Sequence, residues 1–267
     1  MESFKTREFR IRPEKSPGGE IREIILDQLV SVTHWLGRFE ENRDEAIHEL
    51  RKCGKRIRGV LRLAKPGLSE GDFRAADALA RGYAKWFSEA RDAFVLLETC
   101  GMVEEENKGI DLSTVREELM KSHRSIVFGE EMEQSVKEAS RQLEMLRLMI
   151  ERIPFDQLNK ENLKEGRALL FAKGKRECRK AKTGKSEEDC HRWRKRAKYL
   201  SFHARLLGEP DAERFARLGS MLGSHHDLAV LDERVESVET EGVVSQMQNR
   251  LEESAFSLGI ELFEAKA

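Results

Sequence analysis

The stretch His48-Glu-Leu-Arg51-Lys52-Cys-Gly-Lys55-Arg56-Ile-Arg58 decides the fold, because it returns later as His191-Arg-Trp-Arg194-Lys195-Arg-Ala-Lys198-Tyr199. Both follow the pattern H-x-x-R-K-x-x-K. Each lies a few residues after a helix-capping signature, Asn42 with Glu45 and Ser186 with Asp189. Each runs on to a helix stop, Pro66-Gly67 in the first case and Gly208-Glu209-Pro210 in the second. A further echo follows: Arg91-Asp92-Ala-Phe-Val95-Leu96 matches His226-Asp227-Leu-Ala-Val230-Leu231. Two echoes in the same order, at similar separations, point to an internal duplication.

Apolar residues recur at helical spacing almost everywhere, and only 4–11 alternates weakly as a strand would. About eight helices are expected. The first covers 21–40, the second runs from Asn42 to Pro66, and the third covers 69–100 with Gly101 as its terminator. An acidic loop, 104–111, leads to a fourth helical region broken near Gly129 and ended before Pro154. The second half repeats the plan with helices over 160–182, 186–208, 211–239 and, after Gly242, 243–264. Short connections favour antiparallel neighbours, as in bundles. The expected architecture is one all-α domain over 1–267: an N-terminal extension 1–19, a first helical bundle 20–153 and a second 159–267.

Of the 267 residues 36% are charged and 39% hydrophobic, with 5 prolines, a composition that suits helices with solvated faces. No run of about 18 apolar residues offers a membrane span. The charged N-terminus does not read as a secretory signal. Cys53, Cys100, Cys178 and Cys190 form no C-x-x-C pair and read as isolated thiols of a cytoplasmic protein. The net charge of -1 hides a segregation. Residues 48–65 hold seven Lys/Arg and one acid, and 173–198 hold twelve against four. Residues 98–156 carry fourteen acids against eight bases, and 227–267 ten against three. Such a molecule draws an anion to particular places and repels it elsewhere.

With about 100° between successive residues, positions i, i+3, i+4 and i+7 share one helix face. His48, Arg51, Lys52 and Lys55 therefore form a stripe that Arg58 and Arg62 extend, while Ile47, Leu50, Ile57 and Leu61 form an apolar stripe beside it. His191, Arg194, Lys195 and Lys198 repeat the arrangement beside Trp193, Ala197 and Leu200. Like charges at i,i+4 repel. A row of them, twice in one register, calls for an anionic partner. Arginine forks, lysine point charges and protonated histidine are the donors that phosphate takes. Lys173, Arg176 and Lys180 give another row on the preceding helix. An elongated basic groove suits a linear polyanion, with affinity rising as pH falls from about 8 to about 6, around the ordinary histidine pKa.

Other motifs carry less. Adjacent His225 and His226 point about 100° apart on a helix, and the cations around them disfavour a metal ion. Glu104-x-Glu106-x-Lys108 has the form of the tunnel-type triphosphatase signature but lacks the barrel strand that chemistry needs. No phosphate-binding glycine loop, nucleophile elbow or zinc-protease helix occurs. No carboxylate cluster with metal-ligand spacing lies near the basic rows, so neither catalysis nor a cofactor is expected. Few aromatics flank the rows to stack bases, which disfavours nucleic acid. Met132, Met145, Met149 and Met221 read as core, and His34, His123 and His203 as ordinary surface or core residues.

The paired motif, strengthened by Arg91-Asp92 and His226-Asp227, resembles the CHAD family, the conserved-histidine α-helical domains, over about 21–263. The resemblance implies a stand-alone member: two four-helix bundles related by a pseudo-twofold axis, with a basic channel between them. It implies noncatalytic binding of inorganic polyphosphate, attachment to polyphosphate granules and proximity to polyphosphate-metabolising enzymes. The alternative is a metal-assisted enzyme or accessory subunit acting on phosphate chains. Carried over by position, the ligand contacts are His48, Arg51, Lys52, Lys55, Arg56 and Arg58 in the first half. Those of the second are Lys173, Arg176, His191, Arg194, Lys195, Lys198 and His226. Arg91, which stands where His226 does, counts among the expected contacts too, and Arg56 stands where Tyr199 does, so the halves are not equivalent.

Overall fold

The computed structural model describes residues 7–184, 186–235 and 238–264. Among them the chain forms ten α-helices, two short 3-10 turns and no strand. In order they are α1 (Pro17–Gly37), α2 (Arg43–Ala64), α3 (Glu70–Lys85), α4 (Ser88–Glu106) and α5 (Ser113–Phe128). Then come α6 (Glu130–Arg152), α7 (Lys160–Gly184), α8 (Glu187–Leu207), α9 (Ala212–Asp232) and α10 (Val238–Glu264). The all-α reading holds, and the count rises from eight to ten. The expected third helix is two, because the chain turns at Trp86-Phe87, burying Phe87 and leaving Trp86 exposed. The fourth breaks at Gly129, as expected. Gly101 and Gly242, read as terminators, lie inside α4 and α10. Each costs its helix about 1 kcal/mol in propensity, which neighbouring turns absorb. Residues 4–6 of the weak alternation lie outside the described residues, and 7–11 make no strand.

Both capping signatures are made. The Asn42 side chain accepts from the backbone N–H of Glu45 at 3.2 Å. Ser186 Oγ accepts from the N–H of Asp189 at 3.2 Å and donates to its carboxylate at 2.8 Å. These bonds satisfy N–H groups that a helix start leaves without partners, and so fix where α2 and α8 begin.

The chain divides into two compact units. One takes the described residues up to Arg91, with Ile126–Leu169 and Phe202–Glu209. The other takes Asp92–Ser125, Leu170–Ser201 and the described residues from Pro210 on. Each unit draws on both halves of the sequence, a division different from 20–153 and 159–267. Helices α4, α5, α7 and α8 each cross a unit boundary, because long helices bury different stretches against different neighbours.

In the first unit Ile47, Leu50, Ile57 and Leu61 of α2 are buried, joined by Ile21, Ile24 and Ile25 of α1 and by Leu146 and Ile150 of α6. In the second unit Leu96, Cys100 and Val103 of α4 meet Leu228 and Leu231 of α9 and Val244 of α10. The Trp193 ring of α8 stacks on Phe256 of α10 with centroids 5.4 Å apart. The apolar stripes beside both motifs are thus the faces that dock. Met132 is core, but Met145 is exposed: it sits about 140° around α6 from the buried line of Met132, Leu143 and Ile150. All four cysteines are free and buried. Burial pushes the Cys53 thiol up to about 12 and the other three to about 11, which keeps them unreactive.

Candidate functional site

Each motif is held by its own unit. In the first, α2 shows His48 half exposed, with Nε2 3.9 Å from the Glu49 carboxylate. The same carboxylate oxygen lies 2.7 Å from Lys52 Nζ. Lys55 is exposed one turn on. Arg51 turns inward and donates to the Ala84 carbonyl at 3.2 Å and to Ser88 Oγ. Arg58 leaves the row: with Arg62 it grips Asp77 of α3, at 3.0 Å and 2.6 Å. On the helical wheel Arg51, Arg58 and Arg62 form the edge of the stripe turned towards α3, with Lys55 beside them and His48 and Lys52 further round. The Arg56 guanidinium lies over the Phe9 ring, 5.3 Å from its centroid.

The second unit repeats this division. Arg194 turns towards α9, 3.7 Å from Asp227 Oδ1, and its guanidinium occupies the space a side chain at Gly223 would need. A Cβ there would stand 3.1 Å from Arg194 Nη2. The Lys198 stem lies against Gly219. Lys195 is exposed and has no acid within ion-pair reach among the described residues. The His191 and His226 rings stand 5.1 Å apart, inclined at 54°. With Glu187 and Glu188 they line an open depression of 490 Å³. The Nδ1 atoms of both rings are buried without a hydrogen-bond partner. On α7, Lys173 and Arg176 are exposed, and Arg176 reaches the buried Glu177 carboxylate at 3.2 Å.

The electrostatics of the rows agree. Burial, then Arg91, lowers the His48 pKa; Glu49 opposes, and Lys52 and Lys55 add to the lowering. His191 is pushed down to about 4, first by burial and then by Lys195, His226, Arg194 and Lys198. Each histidine is held towards its neutral form first by burial and then by the cations around it. The matched residues also meet matched partners: Arg91 acts on His48 as His226 does on His191. The downward shift places free His191 at about 4, below the ordinary histidine range, and His48 shifts in the same direction.

Three participants were missed from sequence. Glu49 is the acid inside the first row, and Arg192 stands at the matching place in the second. Arg192 holds Asp189 at 2.6 Å, contacts Glu188 and lies 4.0 Å from Glu177. Both follow the motif histidine directly, and matching only identical residues passed over the position where the halves carry opposite charge. Phe9, in the third case, leaves no periodic signal at all.

Glu104 and Glu106 lie in the last turn of α4, where Glu104 pairs with Arg116 at 2.9 Å. The two carboxylates of the triphosphatase signature are therefore helical here, with Lys108 in the turn that follows, and they do not alternate across a strand. Among the described residues no helix is long and apolar enough to cross a membrane.

The CHAD domain family matches residues 24–236. No curated protein matches the sequence. The fold is similar to that of PptA from Streptomyces chartreusis, with a TM-score of 0.55 and 11% identity over 94% of this chain and 99% of that one. The paired histidine motifs, the all-helical fold and a match over most of the length lead to one assignment: this chain belongs to the CHAD domain family.

Proposed function

We propose that the chain binds inorganic polyphosphate without catalysis, through the cationic rows of α2 and α8 and the adjoining Lys173 and Arg176 of α7. One observation carries the reading. Two helices present histidine and two lysines at the same offsets, with the motif arginine of each turned inward to the next helix. After burial, the neighbouring Lys and Arg side chains also lower the His48 and His191 pKa values, which fits a positive potential at both rows. An incoming phosphate chain relieves the mutual repulsion of these cations, and each added phosphate meets another donor. Family membership supports the same ligand, and granule attachment follows as its cellular consequence.

The test is a side-by-side titration with long-chain polyphosphate, pyrophosphate and single-stranded RNA at one salt concentration. Long chains bind tightest, because they engage more cations at once. Equal affinity for pyrophosphate and a long chain would contradict the reading, as would a preference for RNA. Incubation of the protein with polyphosphate and magnesium or manganese releases no orthophosphate. Release that Glu187→Gln or Glu188→Gln abolishes would establish an enzyme instead.

A further inference from the structure

Residues 7–16 precede the family-matched region 24–236, yet they are built into the first unit beside its cationic row. Glu20, 2% exposed, receives the guanidinium groups of both Arg7 and Arg12, the latter at 2.7 Å. The Ile11 N–H donates to the Leu206 carbonyl at 2.8 Å. The Arg10 guanidinium lies over Gly208, whose φ of +68° admits glycine readily and where a Cβ would come within 2.6 Å of Arg10. These contacts fix Phe9, whose ring meets Phe202 edge-on at 6.0 Å and carries Arg56 above it. Phe202 in turn lies against Gly59 of α2. The other contact of Arg56 is weak, to Gln28 Oε1 at 3.5 Å, and no acid among the described residues pairs with it.

We propose that this N-terminal segment is an accessory part of the anion site, with Phe9 as the positioning residue that holds Arg56 ready for phosphate. The proposal rests on the reading that the α2 row binds polyphosphate. A carboxylate would also hold Arg56, but would neutralise it and occupy its donors. An aromatic face holds the guanidinium through its plane and leaves the edge N–H groups for phosphate oxygens. Arg56 is the row position that the second half fills with Tyr199, so the segment supplies something peculiar to the first half.

The experiment pairs affinity for long-chain polyphosphate with the rate at which phenylglyoxal modifies Arg56 in ligand-free protein. Phe9→Leu keeps an apolar contact with Phe202 but removes the ring. It weakens binding about three- to ten-fold and speeds Arg56 modification; Phe9→Trp restores both. In an Arg56→Ala background, Phe9→Leu costs no further affinity. Unchanged affinity in Phe9→Leu, or an equal loss in the Arg56→Ala background, overturns the proposal. A parent that does not bind polyphosphate overturns the underlying reading, and the modification rate then decides the seating of Arg56 alone.

Discussion

The rows on α2 and α8 share their offsets but not their neighbours. In the first, Glu49 follows the motif histidine and takes Lys52 into an ion pair at 2.7 Å. In the second, Arg192 holds that place, and the acids of the first helical turn, Glu188 and Asp189, pair with it while Lys195 stays exposed. The matched positions decide which side chains turn inward, Arg51 and Arg194, and which face solvent. The unmatched positions decide how much charge is left for a ligand. On the proposed function, the α8 row is expected to contribute more to binding than the α2 row.

The largest expected difference comes from removing the motif lysines, which leaves the inward arginines in place. Lys195→Ala with Lys198→Ala weakens polyphosphate binding about 30-fold, and Lys52→Ala with Lys55→Ala about five-fold. Lys52 already spends part of its charge on Glu49. The plot of log affinity against log salt flattens by about 1.5 units for the α8 pair and by less for the α2 pair. Equal losses from both pairs would break the comparison.

Glu49→Arg sharpens it from the other side. It gives the first row the residue that the second carries, and raises affinity about five-fold at low salt. An unchanged affinity would mean that Glu49 is too well solvated to matter.

Smaller effects follow from pH. Bound phosphate favours protonated histidine, so affinity rises as pH falls and goes on rising below pH 6, because free His191 titrates near 4. His191→Ala removes more of this dependence than His48→Ala. Folding stability has the opposite sign. A histidine whose folded pKa lies below the unfolded value of about 6.5 binds its proton more readily in the unfolded chain. The stability it contributes is present above that value and is lost as pH falls towards about 4 for His191 and about 3 for the buried His203. The Tm of the ligand-free protein therefore drops between pH 7 and 4, and polyphosphate restores part of it. A flat Tm over that range would contradict these shifts.

Much of this was legible in the sequence, for a physical reason. Helical periodicity placed Ile47, Leu50, Ile57 and Leu61 on a buried stripe, and side-chain oxygens at Asn42 and Ser186 marked where α2 and α8 start. Local rules failed where tertiary packing overrides them. Gly101 and Gly242 stay helical, and the chain breaks at Trp86-Phe87 because Phe87 is pulled into the core. The grouping of helices into units depends on contacts between distant stretches, which no local pattern encodes. Within the site, spacing put Arg58 in line with the row but did not reveal Asp77, nineteen residues on, which claims it. The same limit hid Phe9 beneath Arg56 and the pairing of Arg192 with Glu177.

The most direct measurement is a polyphosphate titration of a four-lysine variant, Lys52→Ala, Lys55→Ala, Lys195→Ala and Lys198→Ala, beside the parent at one salt concentration. Helical circular dichroism serves as the check of folding. Two cationic rows as the binding surface predict a loss of about 100-fold or more with helix content unchanged. A folded variant that binds long-chain polyphosphate as tightly as the parent would return both rows to ordinary solvated helix faces.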